Sequence, residues 1–231
     1  MIEIKDAIVG YDTPLFKIQK LHLESGKVYA LIGKNGMGKS TFLNTLVGQI
    51  PLMTGTLKIN GSNIKDWKAR QFTEAVAYVS SRFEVVDYLS VKEYISFGKF
   101  PKSNWLGNIS TTDAEEVMGI IDEIGLNALT GKNTSEISDG ERQLCSLAKA
   151  LAQNTRTLIL DEPSAFLDYS NRKKMIQVLT NLASNKNKCI LLSTHDLDMA
   201  FDEKLHFIAL VDNNLQEVQL NDKKEFMNYF S

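Results

Sequence analysis

Cysteine is scarce: Cys145 and Cys189 are the only two in 231 residues. They are far apart in sequence and form no metal-ligand cluster, a pattern expected of buried thiols in a reducing compartment. Long apolar runs are also missing. The longest candidates, HFIALV and KCILLS, are strand-sized, well short of the roughly 20 residues that span a bilayer. The opening stretch MIEIKDAIVGYD lacks the apolar core of a signal peptide. The expectation is a cytoplasmic chain that works at a membrane only through a partner. There is no excess of either charge: the formal net charge is -2, which gives no global attraction for nucleic acid. Internal repeats, low-complexity segments and long charged linkers are absent as well.

What is present is the mix of an ordinary soluble globular chain, 43% hydrophobic and 23% charged, long enough for a sizeable core. The front reads as short strands, IEIKDAIV and LFKIQKLHL, broken near Gly10 and Pro14, then the buried strand GKVYALIG. A helix follows in STFLNTLVGQI, then the strand GTLKINGSNI with an Asn60-Gly61 turn, then a helical turn and strand in QFTEAVAYVS. From about Leu89 to Gln153 the pattern is helical: SVKEYISFG, TTDAEEVMGIIDEIG and DGERQLCSLAKALAQ. The back alternates again, with strands TRTLILDEP, KCILLSTHD, HFIALV and LQEVQL around the helix NRKKMIQVLTNLAS. This order predicts an α/β fold with a mixed, largely parallel core sheet, a small antiparallel β region and a helical lobe. The expected organisation is a single domain over 1–231. Residues 1–84 and 154–231 would form the core lobe, and 85–153 the helical lobe.

Three glycines, a lysine and two hydroxyls crowd into GKNGMGKST, Gly33 to Thr41, between a strand and a helix. Glycine is about 7% of average sequence, so a chance G-x-x-x-x-G-K-S match is on the order of one in a hundred. The strand–loop–helix context is that of a phosphate-binding loop. Gly33, Gly36 and Gly38, with Asn35 between them, let successive backbone amides turn around an anion, and the following helix adds its positive end. Lys39 would reach the β- and γ-phosphates of ATP, Ser40 suits Mg²⁺, and Thr41 suits the α-phosphate.

TLILDEP ends a buried strand on two acids. Successive strand residues face opposite sides, so Asp161 would support the Mg²⁺ shell while Glu162 polarises an attacking water. A helix-capping acid pair before Pro163 is the structural alternative. KCILLSTHD ends on polar residues too, and ligands of open α/β sheets sit beyond the carboxyl ends of strands. That puts His195 on the same rim, as a γ-phosphate contact. In ISDGERQ, Ser138 and Glu141 fit a capping box, which explains the segment structurally. Asp139-Gly140 nonetheless exposes amides at a helix start, a second anion site that one ATP does not need.

GKNGMGKST, ISDGERQ, LILDEPSAFLD and LSTHD follow one another in the order and spacing of the ATP-binding-cassette (ABC) ATPases, and nearly the whole chain resembles that family. They resemble its Walker A, signature, Walker B with D-loop, and H-loop. The resemblance implies that two copies pack head to tail as a homodimer. Ser138 and Gly140, with Asp139 and Glu141 beside them, would then close on the γ-phosphate held by the partner's loop. It also implies adenine stacking on Tyr11, which is otherwise an ordinary turn tyrosine, and an interface role for Asp168. Two positions depart from the pattern. Asp139 stands where the family usually has glycine. Ser81 stands near the usual Mg²⁺- and water-contacting glutamine and is too short to copy it, while Gln71 and Gln143 lie elsewhere in the pattern.

LSVKEYISFGKFP, with NWLG after it, resembles a segment of importer ATPases for iron–siderophore, haem and cobalamin, with Ser90 for Thr and Lys99 for Arg. The resemblance implies a cassette pair docked under membrane permease subunits at the cytoplasmic face of the membrane. A solute-binding protein would act indirectly, and no nucleic acid is involved. Phe83, Tyr88, Tyr94, Phe97, Phe100 and Trp105 would suit a groove for a permease helix, or else fill the chain's own core. The alternatives are a soluble cassette ATPase of assembly or repair, or an exporter or lipid-extraction cassette. The long coiled-coil insertion usual in repair members is absent, and so is the N-K-x-D segment of a GTPase.

Overall fold

The computed structural model describes residues 1–83, 85–102 and 109–220. Ten strands form one sheet: β1 (Ile2–Gly10), β2 (Pro14–Leu23), β3 (Val28–Ile32), β4 (Thr54–Ile59), β5 (Ser62–Asn63), β6 (Val76–Val79), β7 (Thr157–Leu160), β8 (Cys189–Ser193), β9 (His206–Val211) and β10 (Asn214–Val218). Their spatial order is β5-β4-β1-β2-β10-β9-β3-β8-β7-β6. Strands β9, β3, β8, β7 and β6 run parallel, and β5, β4, β1 and β2 pair antiparallel. The β9–β10 hairpin joins the two halves, because β10 also meets β2 through Asn214 and Lys17. The mixed sheet expected from the strand and helix order is therefore present, with both parts in one continuous surface.

Period-two alternation decides which side each residue serves. Ala30, Ile32, Leu158, Leu160, Ile190 and Leu192 enter one buried cluster, and Tyr29, Leu31, Ile159 and Leu191 enter the other. Strands buried on both faces need unbroken apolar runs, hence VYALI, TLIL and CILL. In β1 the register against β4 shifts between Lys5 and Ile8, and Asp6 takes φ 49°. The shift changes parity, so that Ile2 and Ile4, then Ala7 and Val9, are all buried in the same cluster. Asn60 (φ 51°) and Gly61 (φ 85°) make the β4–β5 turn, both left-handed as a tight hairpin requires.

Seven α-helices are described: α1 (Lys39–Leu46), α2 (Ala69–Ala75), α3 (Val91–Ser96), α4 (Thr111–Ile124), α5 (Asp139–Ala152), α6 (Tyr169–Lys186) and α7 (Leu197–Asp202). Helix α1 packs with β1 and β2 on one side of the sheet, and α3 to α7 contribute to the cluster on the other. Ser90, Ser110 and Ser138 start α3, α4 and α5, each accepting an N–H three residues on, from Glu93, Asp113 and Glu141. Such caps contribute about 1 kcal/mol each. Gly125, at φ 87°, ends α4.

The importer-like segment has a local explanation. Ser90 and Glu93 form a capping box. Gly98 lets the chain approach α5 so closely that a Cβ would lie 2.2 Å from the Lys149 carbonyl. The buried Lys99 ammonium pairs with Asp113 at 3.2 Å and with Glu116, tying this segment to α4. Of the aromatics, Tyr94 is buried and stacks with Phe83 at 5.0 Å, while Phe97 and Phe100 pair at 4.7 Å. Tyr88 is 93% exposed and Phe100 44%. Trp105 and the NWLG stretch lie outside the described residues. Both cysteines are free and buried. Burial pushes the Cys145 thiol up to about 12 and the Cys189 thiol above its ordinary value. Among the described residues, no helix is long and apolar enough to cross a membrane.

Candidate nucleotide site

Strands β3, β8 and β7 lie side by side and parallel. Their carboxyl ends therefore open on one rim, carrying the Gly33–Gly38 loop, His195 and the Asp161–Glu162 pair. Gly36 (φ 79°) and Gly38 (φ 103°) take left-handed conformations. At Gly38 a Cβ would also press on the Phe16 ring at 3.1 Å, so this turn needs glycine twice over. Lys39 folds back over the loop and donates to the Gly33 carbonyl at 2.8 Å and the Lys34 carbonyl at 3.3 Å. Burial lowers its pKa, while Glu162 and Asp161 oppose that shift. The first turn of α1 carries no acid, so nothing there cancels its positive end.

The two acids point to different spaces. Asp161 is 5% exposed and lines one cavity with Ser40 and Ser81. Glu162 lines another with His195, Phe166 and Arg172. Asp161 N–H donates to the Val79 carbonyl at 2.8 Å, extending the pairing with β6. The next residue, Glu162, turns into the left-handed region at φ 47°. His195 Nε2 lies 2.8 Å from Glu162 Oε1, so the histidine sits directly against the acid.

Sequence reasoning missed three members of this site. Ser193, fully buried at the end of β8, donates to Asp161 Oδ1 at 2.7 Å and accepts from Glu162 N–H at 2.8 Å. One hydroxyl thus fixes both acids. Arg172 donates to the Leu167 carbonyl at 2.9 Å and to Asp196 Oδ2 at 3.0 Å, joining the segment after Glu162 to the segment after His195. The third, Asp196, also caps α7 through Met199 N–H at 3.2 Å. Ser193 stands in the LSTHD motif already noted, and a hydroxyl two residues before the candidate histidine was the available signal.

Other expected residues lie outside this cluster. Tyr11 is 61% exposed in the turn between β1 and β2. Asp168 caps α6, with both carboxylate oxygens engaged by Asn171. Ser138 and Glu141 form the capping box, and Glu141 Oε2 accepts Ser138 N–H at 2.7 Å and Oγ–H at 2.8 Å. Those bonds, the backbone one first, lower the Glu141 pKa. Arg142 pairs with Asp139 at 2.7 Å. Gly140 abuts the Phe166 carbonyl, which a Cβ would meet at 2.9 Å.

The family model described as "ABC transporter" matches residues 16–165. The chain belongs to the ABC transporter family. This ABC cassette is 30% identical over 203 residues to the iron(3+)-hydroxamate import ATP-binding protein FhuC of Bacillus subtilis, covering 87% of the chain and 76% of that relative. It is 31% identical to an uncharacterized ABC transporter ATP-binding protein of Methanocaldococcus jannaschii, covering 87% of the chain and 69% of the relative. Among solved structures, a bacterial ABC transporter cassette in dimeric form matches with TM-score 0.84 at 23% identity, covering 96% of this chain and all of that one. An inward-facing putative metal-chelate type ABC transporter matches with TM-score 0.81 at 22% identity, covering 99% and 88%. At those identities the structural likeness speaks to the fold. The cassette binds ATP and is an ATPase.

Proposed function

We propose that this cassette is the ATPase subunit of an importer for an iron complex or a cobalamin-like solute, acting as a homodimer beneath membrane permease subunits at the cytoplasmic face of the membrane. The observation that carries the import reading is the alignment over 87% of the chain with relatives such as the iron(3+)-hydroxamate import protein. A solute-binding protein would deliver the solute to the permease. Residues 1–84 with 154–231 would serve as the nucleotide-binding lobe and 85–153 as the lobe carrying the signature.

The triphosphate lies along Gly33, Asn35, Gly36 and Gly38, with Lys39 moving from its two carbonyl partners to the β- and γ-phosphates. Thr41 serves the α-phosphate, and Tyr11 stacks on adenine. Ser40 and Asp161 share one cavity wall and offer hydroxyl and carboxylate oxygens, the hard donors that suit Mg²⁺. Among the described residues no group of three or more His, Cys, Asp or Glu forms a metal cage, so an ion held by Ser40 and Asp161 would need further oxygen donors. When bound, Mg²⁺ supplies neutralisation of charge on the phosphates. Ser81, on the same wall, is a weaker member of this set.

Glu162 orients and deprotonates the attacking water. His195, against it, holds the carboxylate and contacts the γ-phosphate. Ser138, Asp139, Gly140 and Glu141 start α5, whose positive end faces the partner's γ-phosphate. Two carboxylates in that first turn would repel an anion, but each is engaged: Asp139 by Arg142 and Glu141 by Ser138. Asp168 reaches the interface beside them.

The experiment substitutes Glu162→Gln. ATP binding is expected to persist, turnover to fall by about 10²–10⁴-fold, and dimer to accumulate on a sizing column with Mg·ATP. The tagged variant should then copurify with integral permease subunits. Near-normal turnover would remove Glu162 from the role, and a strictly monomeric ATP-loaded variant would end the dimer reading.

A further inference from the structure

The side chains of Glu162 and His195 stand largely outside the core, 39% and 47% exposed, so packing does not fix them. Among the described residues, their mutual 2.8 Å contact is the one side-chain hydrogen bond that either makes. Their placement therefore depends on the two backbone segments that carry them. These are 162–168, which leaves β7, and 194–197, which leaves β8. Ser193 ties the two at the strand ends by accepting Glu162 N–H at 2.8 Å. Further out, the backbone bonds within each segment are local. Ala165 N–H donates to the Glu162 carbonyl, Leu167 N–H to the Ser164 carbonyl and Leu197 N–H to the His195 carbonyl. None of these joins one segment to the other.

Arg172 supplies the second tie. Its Nε donates to the Leu167 carbonyl at 2.9 Å, and its Nη1 to Asp196 Oδ2 at 3.0 Å. The other oxygen of Asp196 is already committed, because Oδ1 caps α7 through Met199 N–H at 3.2 Å. The bridge and the Glu162–His195 contact border one cavity of about 450 Å³, whose lining includes Glu162, Arg172, His195 and Asp196. An ion pair as exposed as this one, 36% at Arg172 and 22% at Asp196, adds little to folding. What it adds is geometry. A guanidinium is a rigid planar fork that fixes two acceptors at once, which an ammonium on a flexible stem does not. We infer that Arg172 is a positioning residue for hydrolysis: by holding the Leu167 carbonyl to Asp196, it keeps Glu162 and His195 aligned on the attacking water. The inference rests on the roles argued above for that pair.

The test is turnover of the full chain with Mg·ATP, with affinity read separately by titration of a fluorescent ATP analogue. Arg172→Ala is expected to lower kcat by about 10²-fold, the scale of a misplaced catalytic group, and to leave nucleotide affinity unchanged. Asp196→Asn is the second variant. Its one remaining oxygen can still cap α7, so the helix start is kept while the bridge is lost, and the same kcat loss is expected. The double variant should lose no more than either alone. In a His195→Ala chain, Arg172→Ala should cost little further, because the pair it positions is already gone. A purely structural role would cost the same in both chains. Unchanged kcat in Arg172→Ala would overturn the positioning role. So would nucleotide affinity falling in step with kcat, or an undiminished loss in the His195→Ala chain. Glu162→Gln, run beside them, separates two failures. Near-normal turnover there would end the catalytic reading itself, and slow turnover there with normal Arg172→Ala would end only the bridge.

Discussion

Ser193→Ala is the sharpest perturbation of the site, because a single hydroxyl holds both acids. Ser193 is fully buried and Asp161 is 5% exposed. Removing the hydroxyl deletes the 2.7 Å bond to Asp161 Oδ1 and the 2.8 Å bond from Glu162 N–H. The lost atom is small, so its cavity costs little. What remains is a carboxylate oxygen and an amide that have lost their buried partner. Each such orphan costs about 1–3 kcal/mol, and relaxation of the left-handed Glu162 backbone, φ 47°, returns part of about 1–3 kcal/mol of stored strain. The expected net loss is about 2–4 kcal/mol. With a urea slope of about 2 kcal/mol/M, the unfolding midpoint falls by about 1–2 M. Turnover should fall as well, by about 10²-fold, because Glu162 is no longer held at its water. ATP affinity should hold, since Lys39 and the glycine loop do not touch Ser193. A double-mutant cycle with Asp161→Asn should return a coupling energy above about 0.5 kcal/mol. A midpoint and turnover both equal to those of the unmodified chain would refute the bridging role.

Gly98→Ala places a Cβ 2.2 Å from the Lys149 carbonyl and 2.8 Å from Ala152 Cβ. Both belong to one helix that cannot yield locally, so the thermal midpoint should fall by about 3–10 °C, from about 1–3 kcal/mol of overpacking; an unchanged midpoint would discount the close approach. Acid should weaken the fold through its caps. Hydrogen bonds from Ser90, Ser110 and Ser138 hold Glu93, Asp113 and Glu141 below their ordinary carboxylate pKa. A depressed folded pKa contributes stability that is complete above the unfolded value of about 4 and is lost as pH falls through the folded value. The urea midpoint should therefore hold above about pH 5 and drop between about pH 5 and pH 2, and by less in Glu141→Gln; a flat profile would contradict the cap assignments.

The glycine loop and the acid pair were legible because their residue types are rare in that combination and their chemistry is local. Ser193 was not, because its two bonds exist only once β8 lies beside β7, and strand order cannot be read from one strand's pattern. Arg172 and Asp196 escaped for the same reason, since they join segments 24 residues apart. Helix α7 has six residues, too few for a period to show. The importer-like segment was legible as a resemblance before it was legible as physics. Its serine–glutamate pair is a cap, its glycine a close approach and its Lys99 a clamp, features that any helical insert of this shape needs. The segment alone therefore identifies no solute.

Two adjacent acids can serve two tasks only if the chain separates them, and that separation has a structural cause. Asp161 still pairs with β6 through the Val79 carbonyl at 2.8 Å, so its side chain keeps the strand's alternation and falls beside Ser40. One residue later the backbone leaves the strand at φ 47°, which carries Glu162 over the rim to His195. A β-branched or bulky residue would resist that turn, and the bond from Glu162 N–H to Ser193 holds it. The same turn leads through Pro163 to Phe166, whose carbonyl abuts Gly140 at the start of α5. Within one chain, then, the acid proposed to face its own triphosphate and the helix end proposed to face the partner's are joined by a short, close-packed segment. A shift of Glu162 would therefore be passed through this segment to the start of α5.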